Sequence, residues 1–201
     1  MMWGPRKRRM ADLDPGTDSP LNFAVSSRDQ DTLDMVQAAV YHRQTLLAFQ
    51  PVMRADDFGK SAFHEGLIRV LDDTGRVIPA AEFMPAIEAT ELGREIDVHA
   101  LALCLRALHD APGLRLSINM SARSIGYRRW MRTLEHWLHL DANIGPRLIL
   151  EITESSAMMV PELVIDFMNR LQRRGICFAL DDFGAGYTYA ILLENAELIA
   201  E

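Results

Sequence analysis

The 201-residue sequence is 49% hydrophobic and 24% charged, ordinary proportions for a soluble globular domain with a real core. Its net charge of −7 argues against general nucleic-acid binding, which rests on cations set against phosphate, so no DNA or RNA partner is expected. Two cysteines, Cys104 and Cys177, form no disulfide framework and fit no metal motif.

Residues 1–29 mix Pro, Gly, Ser and Asp without apolar periodicity and are expected to form a mobile tail. The basic run Arg6 to Arg9 precedes no hydrophobic segment of the kind a secretory signal has. No apolar run is long enough to span a membrane. Together with free thiols, this sets the expectation of a cytoplasmic protein. Residues 30–201 are expected to form one domain.

A helix is expected from Asp31, with Asp31 or Thr32 as N-cap and Leu33, Val36 and Val40 on one face. Residues 46–54 (LLAFQPVMR) and 62–70 (AFHEGLIRV) read as strands joined by the turn 56–60, an antiparallel pair. A second turn covers 72–75. From there the pattern alternates. Helix 92–109 carries Leu101, Cys104, Leu105 and Leu108 on one stripe, and strand 115–120 (RLSINM) follows. Helix 128–140 has Trp130, Leu134 and Trp137 together, then comes strand 147–153 (RLILEIT). Helix 161–174 has Pro161 at its first turn and Gly175 just past its end, then comes strand 176–181 (ICFALD). Short strands alternating with helices of ten or more residues indicate parallel βαβ units. Cys104 and Cys177 are expected as core thiols, and His136 and His139 as surface histidines without a third ligand.

Oxygen-bearing side chains recur at the same end of successive strands. Asn119 closes RLSINM, Glu151 and Glu154 close RLILEITE, Asp181 and Asp182 close ICFALDD, and Glu65 lies within AFHEGLIRV. In a parallel barrel that end is the functional face, because the strand-to-helix loops converge there. Alternation places Glu151 with Ile149 and Thr153, and Asp181 with Cys177 and Ala179. Carboxylates gathered this way carry a repulsive and desolvation cost on the order of several kcal/mol each, so cations must compensate. Arg69, Arg115 and Arg123 are the nearby basic side chains in the sequence. An all-oxygen donor set selects a hard ion, Mg²⁺ or Mn²⁺, over Zn²⁺. The number of donors suits two ions, an arrangement that serves attack on phosphodiesters. Asp181 and Asp182 also run into a glycine turn, Gly184 and Gly186, whose backbone can approach a ligand closely.

The ordered motifs resemble the EAL domain family of cyclic di-GMP phosphodiesterases. They are FQP at 49–51, EGL at 65–67 followed by Arg69, IPAAEFMPAIE at 78–88, EID at 95–97, NMS at 119–121, EITE at 151–154 and DDFGAGY at 181–187. The resemblance covers roughly residues 31–190. It implies an α/β fold, a TIM-like barrel of the EAL type with an antiparallel first strand, incomplete in this chain. It implies Glu65, Asn119, Glu151 and Asp181 as metal ligands, with Asp182 at a second metal and Glu154 as a loop-anchoring carboxylate. Glu65, Glu154 and Asp182 are thereby the catalytic candidates. Gln50, Leu67 and Arg69 become substrate contacts, Arg69 toward phosphate through its planar fork, and Pro79 and Glu88 line the nucleotide site. The implied reaction is Mg²⁺- or Mn²⁺-dependent hydrolysis of cyclic di-GMP to pGpG, and the family resemblance leaves room for a homodimer.

The sequence departs from the family pattern twice. Gly66 stands where the family has alanine, with an expected cost of about 0.5–1 kcal/mol in local stability and an altered loop rigidity. The family's general base is a lysine on the strand after DDFG, whereas Lys7 and Lys60 are the two lysines of this chain and both lie upstream. The alternative expectation is therefore a cyclic di-GMP receptor or protein-interaction module without turnover. An enolase-type barrel also sets carboxylates on successive strand ends for Mg²⁺, but FQP and DDFGAGY do not support it.

Overall fold

The computed structural model describes residues 20–153, 157 and 159–181. In chain order the elements are α1 (Pro20–Tyr41), β1 (Thr45–Met53), β2 (Ser61–Leu71), β3 (Val77–Pro79), α2 (Ala80–Ile87), α3 (Glu91–Asp110), β4 (Leu116–Asn119), α4 (Arg128–Leu140), β5 (Leu148–Thr153), α5 (Pro161–Gln172) and β6 (Cys177–Asp181). Short 3₁₀ turns at Ala122–Ser124 and Ala142–Arg147 follow β4 and α4.

The strands form one sheet in the order β1-β2-β4-β5-β6, with β3 added to the far end of β2. β1 and β2 are antiparallel, as their tight turn requires, and β2, β4, β5 and β6 run parallel through helical crossovers. This is the first part of a TIM-like barrel wall with an antiparallel first strand. Among the described residues the sheet does not close.

Strand alternation divides the core in two directions. Outward, Leu116, Ile118, Leu148, Leu150, Ile152 and Phe178 pack on the stripes of α3, α4 and α5, including Leu105, Trp130 and Phe167. Each such fully buried side chain contributes about 1.5–3 kcal/mol. A second outward cluster seats Val36 and Ala39 of α1 against Val70, Ile78, Phe83 and Ile96. Inward, Phe63, Ile149 and Ala179 form a small barrel floor, with Val52 and Cys177 beside them.

The structure departs from the sequence reading at four points. The first helix begins at Pro20, not Asp31, so residues 20–29 are helical rather than part of a tail. Thr32 is no cap: its hydroxyl donates to the Arg28 carbonyl at 2.9 Å, inside the helix. The elements β3 and α2 were not foreseen, because three residues and eight residues with Pro85 inside are too short to show a period. Cys177 is half-buried, not a core thiol, and lies 3.7 Å from the Arg115 guanidinium, whereas Cys104 is fully buried. His136 and His139 are exposed on α4, as expected. No helix of the described residues is long and apolar enough to cross a membrane.

Candidate functional site

The register of the parallel strands decides which polar side chains meet. Glu65 is paired with Ser117 across β2 and β4, and Asn119 lies two residues farther along β4. Asn119 is directly opposite Glu151 on β5. Glu151 is opposite Ala179 on β6, and Asp181 lies two residues farther, opposite Thr153. Steps of zero or two residues keep the face, so all four positions belong to the inward face. The two-residue offsets are the stagger that a barrel wall needs.

Contacts bear this out for the described side chains. The Asn119 amide nitrogen donates to Glu65 Oε1 at 2.9 Å, tying β4 to β2. With its nitrogen turned to Glu65, Asn119 has a side-chain oxygen that this bond does not use. Glu151 is only 9% exposed. Its backbone oxygen accepts the N–H of Met120 at 2.8 Å, which prolongs the β4–β5 ladder just past Asn119. Gln50 on β1 is opposite Glu65 and exposed.

A cleft of about 460 Å³ opens where β2 and β4 part beneath α2 and α3. Leu67, Glu88, Asp97, Asn119, Arg123 and Thr153 are among its walls. Of the substrate contacts expected from the sequence, Leu67 and Glu88 reach this cleft. Arg69 and Pro79 instead face each other across β2 and β3, outside its lining, and the Arg69 guanidinium donates to the Ile68 carbonyl at 3.0 Å. Arg115 lies at the other end of the strands, its guanidinium 5.9 Å from the Phe63 ring, so it belongs to the barrel floor. Arg123, on the turn after β4, is the arginine that borders the cleft.

Glu154 and Asp182 lie outside the described residues, and of Asp181 only the backbone position is described. Gly184, Gly186 and Tyr187 also lie outside them. Among the described residues no three His, Cys, Asp or Glu side chains converge on one point that could hold a metal ion. The described share of the ring is two carboxylates and an amide, all hard oxygen donors.

Two residues have parts that motif reading did not assign. Asp97 of α3, 5% exposed, accepts the Ser121 N–H at 3.1 Å and the Ser124 hydroxyl at 2.5 Å. Burial pushes its carboxyl up to about 6, against the pull of those two donors. Its place in EID was the available signal, without a role attached. Ser117, fully buried on the inward face beside Glu65, has a hydroxyl with no partner among the described residues.

Gly66 turns its bare α-carbon outward into a filled space. A β-carbon there would lie 2.8 Å from Leu47 Cδ2, 3.0 Å from the Ser117 carbonyl oxygen and 3.1 Å from Ile118 Cγ2. Beside the expected change in loop rigidity, glycine here has a packing reason: Leu47 occupies the space that an alanine methyl would need.

A family model described as the EAL domain matches residues 33–199. The chain is 30% identical over 175 residues to the cyclic di-GMP phosphodiesterase PdeF of Escherichia coli (strain K12), covering 83% of this chain and 23% of that protein. It is 27% identical over 164 residues to the cyclic di-GMP phosphodiesterase PdeB of Shewanella oneidensis, covering 79% and 19%. The chain thus spans less than a quarter of the length of these two relatives. A solved structure of the Xanthomonas citri FimX EAL domain in complex with c-di-GMP superposes with a TM-score of 0.73 at 21% identity, covering 87% of this chain and 69% of that one. With the family match covering most of the chain and the barrel wall matching in fold, the chain belongs to the EAL domain family.

Proposed function

We propose that this chain forms the substrate- and metal-binding wall of a cyclic di-GMP phosphodiesterase. The observation that carries the reading is the register that lines Glu65, Asn119, Glu151 and Asp181 along one inward face at the strand ends. The relatives named as cyclic di-GMP phosphodiesterases support it. The donor chemistry fits Mg²⁺ or Mn²⁺. Glu65, Asn119, Glu151 and Asp181 would hold one ion, and Asp182 would help hold a second. When bound, such ions stabilise the charge that develops on a phosphodiester under attack.

The chain's own residues then bind and orient. Leu67 and Glu88 shape the cleft for a guanine nucleotide, and Gln50 stands beside Glu65 across the β1–β2 pair. Arg69 supplies a phosphate contact once it swings from the Ile68 carbonyl, and Pro79 sets the start of α2 beside it. Water adds to one phosphorus, the bond from that phosphorus to the 3′ oxygen breaks, and the freed oxygen takes a proton. The product is linear pGpG, with its phosphate on the 5′ carbon. By the family resemblance, Glu154 would serve as the loop-anchoring carboxylate.

A second reading, a cyclic di-GMP receptor without turnover, is favoured by one placement. Lys60 lies on the turn before β2, at the opposite end of the sheet from Asn119, and is paired with Asp57 at 3.2 Å. Five residue steps along the strand separate it from Glu65, about 16 Å. It is thus no candidate to take a proton from attacking water.

One experiment separates the readings. Purified protein is incubated with cyclic di-GMP and Mg²⁺ or Mn²⁺, and pGpG is followed by chromatography. Product that disappears in Glu151→Ala supports the phosphodiesterase. Binding without product supports the receptor, and absence of both rejects the two together.

A further inference from the structure

We propose that Asp97 is a positioning residue for the mouth of the barrel: from α3 its carboxylate grips the turn after β4 and so fixes Asn119. This rests on the reading of Asn119, Glu65 and Glu151 as donors to a cation.

The geometry is local and specific. One oxygen of Asp97 accepts both the Ser121 N–H at 3.1 Å and the Ser124 hydroxyl at 2.5 Å. Ser121 in turn caps the 3₁₀ turn, its hydroxyl accepting the Arg123 N–H at 3.2 Å. The Ser124 N–H donates to the Ser121 carbonyl at 2.9 Å. Between this knot and Asn119 stands only Met120, buried, with its own N–H on the Glu151 carbonyl. The backbone leaving Asn119 is therefore held on both sides, by β5 and by α3. Arg123, on the same turn, is presented to the cleft by the same hold.

The position asks for explanation because a carboxylate is an expensive choice there. Asp97 lies among the buried residues Ile96, Val98, Ala100 and Leu101 of α3, where an apolar side chain would pack without desolvation. What Asp97 supplies, and an apolar residue cannot, is an acceptor for two donors on the turn that carries the mouth. Partners that orient a ligating side chain from behind typically change metal affinity 10- to 100-fold when removed.

The test uses Mn²⁺ itself, titrated calorimetrically into the full chain at pH 7.5, with thermal melts of each variant in chelator. Asp97→Ala is expected to weaken Mn²⁺ binding at least about tenfold. Asp97→Asn, whose amide oxygen accepts the same two donors, is expected to stay within about twofold. Ser124→Ala removes one of the two bonds, perturbs folding less, and is expected to lose about threefold, so it serves if Asp97→Ala does not fold. A merely structural Asp97 would lower the melting temperature of the alanine variants and leave the affinity of the folded protein unchanged; that result overturns the proposal. Asn119→Ala is the control for the underlying reading. If the wild type takes up no Mn²⁺, or Asn119→Ala binds as well as wild type, the metal reading falls and takes this proposal with it. If Asn119→Ala weakens binding and the Asp97 and Ser124 variants do not, this proposal alone falls.

Discussion

The Asn119 amide donates to Glu65 Oε1 at 2.9 Å, joining strands whose residues are 54 positions apart in the chain. A neutral donor between two carboxylate-bearing strands holds the mouth together without adding to its negative charge. Asn119→Asp would replace that bond by a second anion beside Glu65. In chelator the variant is expected to melt about 4 °C lower, corresponding to ~1–2 kcal/mol from a lost hydrogen bond and a like-charge pair. Mn²⁺ should then restore more stability to the variant than to the wild type, because the ion neutralises the added charge. Equal melting shifts for the two proteins on adding Mn²⁺ would count against a cation at this position.

Gly66 and Leu47 form a coupled pair. Gly66→Ala places a methyl 2.8 Å from Leu47 Cδ2 and 3.0 Å from the Ser117 carbonyl oxygen, and overpacking of this sort costs about 1–3 kcal/mol. Leu47→Val shortens the opposing side chain and should recover part of the loss in the double variant. Urea denaturation of the two single variants and the double variant measures the coupling. Strictly additive effects would refute the explanation of Gly66 by packing.

The Asp97 carboxyl is pushed up to about 6 from its ordinary 3.8 by burial, with Ser124 and Ser121 pulling the other way. A folded-state pKa above the unfolded one means that the folded protein holds the proton more tightly. Asp97 therefore contributes stability that is fully present below about pH 4 and is lost as the pH rises through about 6. Asp97→Asn removes that dependence. Its melting temperature is expected to exceed that of wild type at pH 7.5, by at most ~3 kcal/mol in stability, and the advantage should shrink to nothing toward pH 4. A difference between the two proteins that stays flat across this window would show that burial does not shift this carboxyl.

Arg147 closes the end of α3. Its guanidinium donates to the carbonyls of Leu108 at 2.7 Å, Ala111 at 3.1 Å and Leu114 at 3.1 Å, and to Asn143 at 3.0 Å. The Leu108 carbonyl is one that the end of α3 leaves without a helical partner, and the other three tie the loop after α3 to the turn before β5. Arg147→Ala is expected to destabilise the protein by about 2–3 kcal/mol in chemical denaturation. Arg147→Lys should recover little of this, because a point ammonium cannot span the same carbonyls as the planar fork. Full recovery by lysine would reduce the role of Arg147 to its charge.

Much of this protein is legible in its sequence, and the reason is periodicity. Helices α3 and α5 show their apolar stripes, and the residues on those stripes are the buried ones; on α4 Trp130 and Leu134 are buried, but Trp137 is only half-buried and Leu138 takes the third core position. Alternation along β5 and β6 was enough to place Glu151 with Ile149 and Asp181 with Ala179, because a strand has only two faces. Gly175, at φ 83, ends the turn after α5 as its position past the helix foretold. The early turns of α1 escaped because Val25 and residues 27–30 are exposed, so no apolar stripe marks them. β3 and α2 escaped because they are shorter than the period that would reveal them. Which oxygen faces which was decided only by tertiary structure. The pairing of Glu65 with Ser117, rather than with Asn119, is a matter of strand stagger, and stagger leaves no mark on either strand alone. The reach of Asp97 to Ser121 and Ser124 joins residues 24 and 27 positions apart, and a hydrogen bond between distant segments has no local signature. The sequence by itself determined the donors at the strand ends and the family they belong to. Only the folded chain decided how they are spaced, because strand stagger and contacts between distant segments leave no local signature in the sequence.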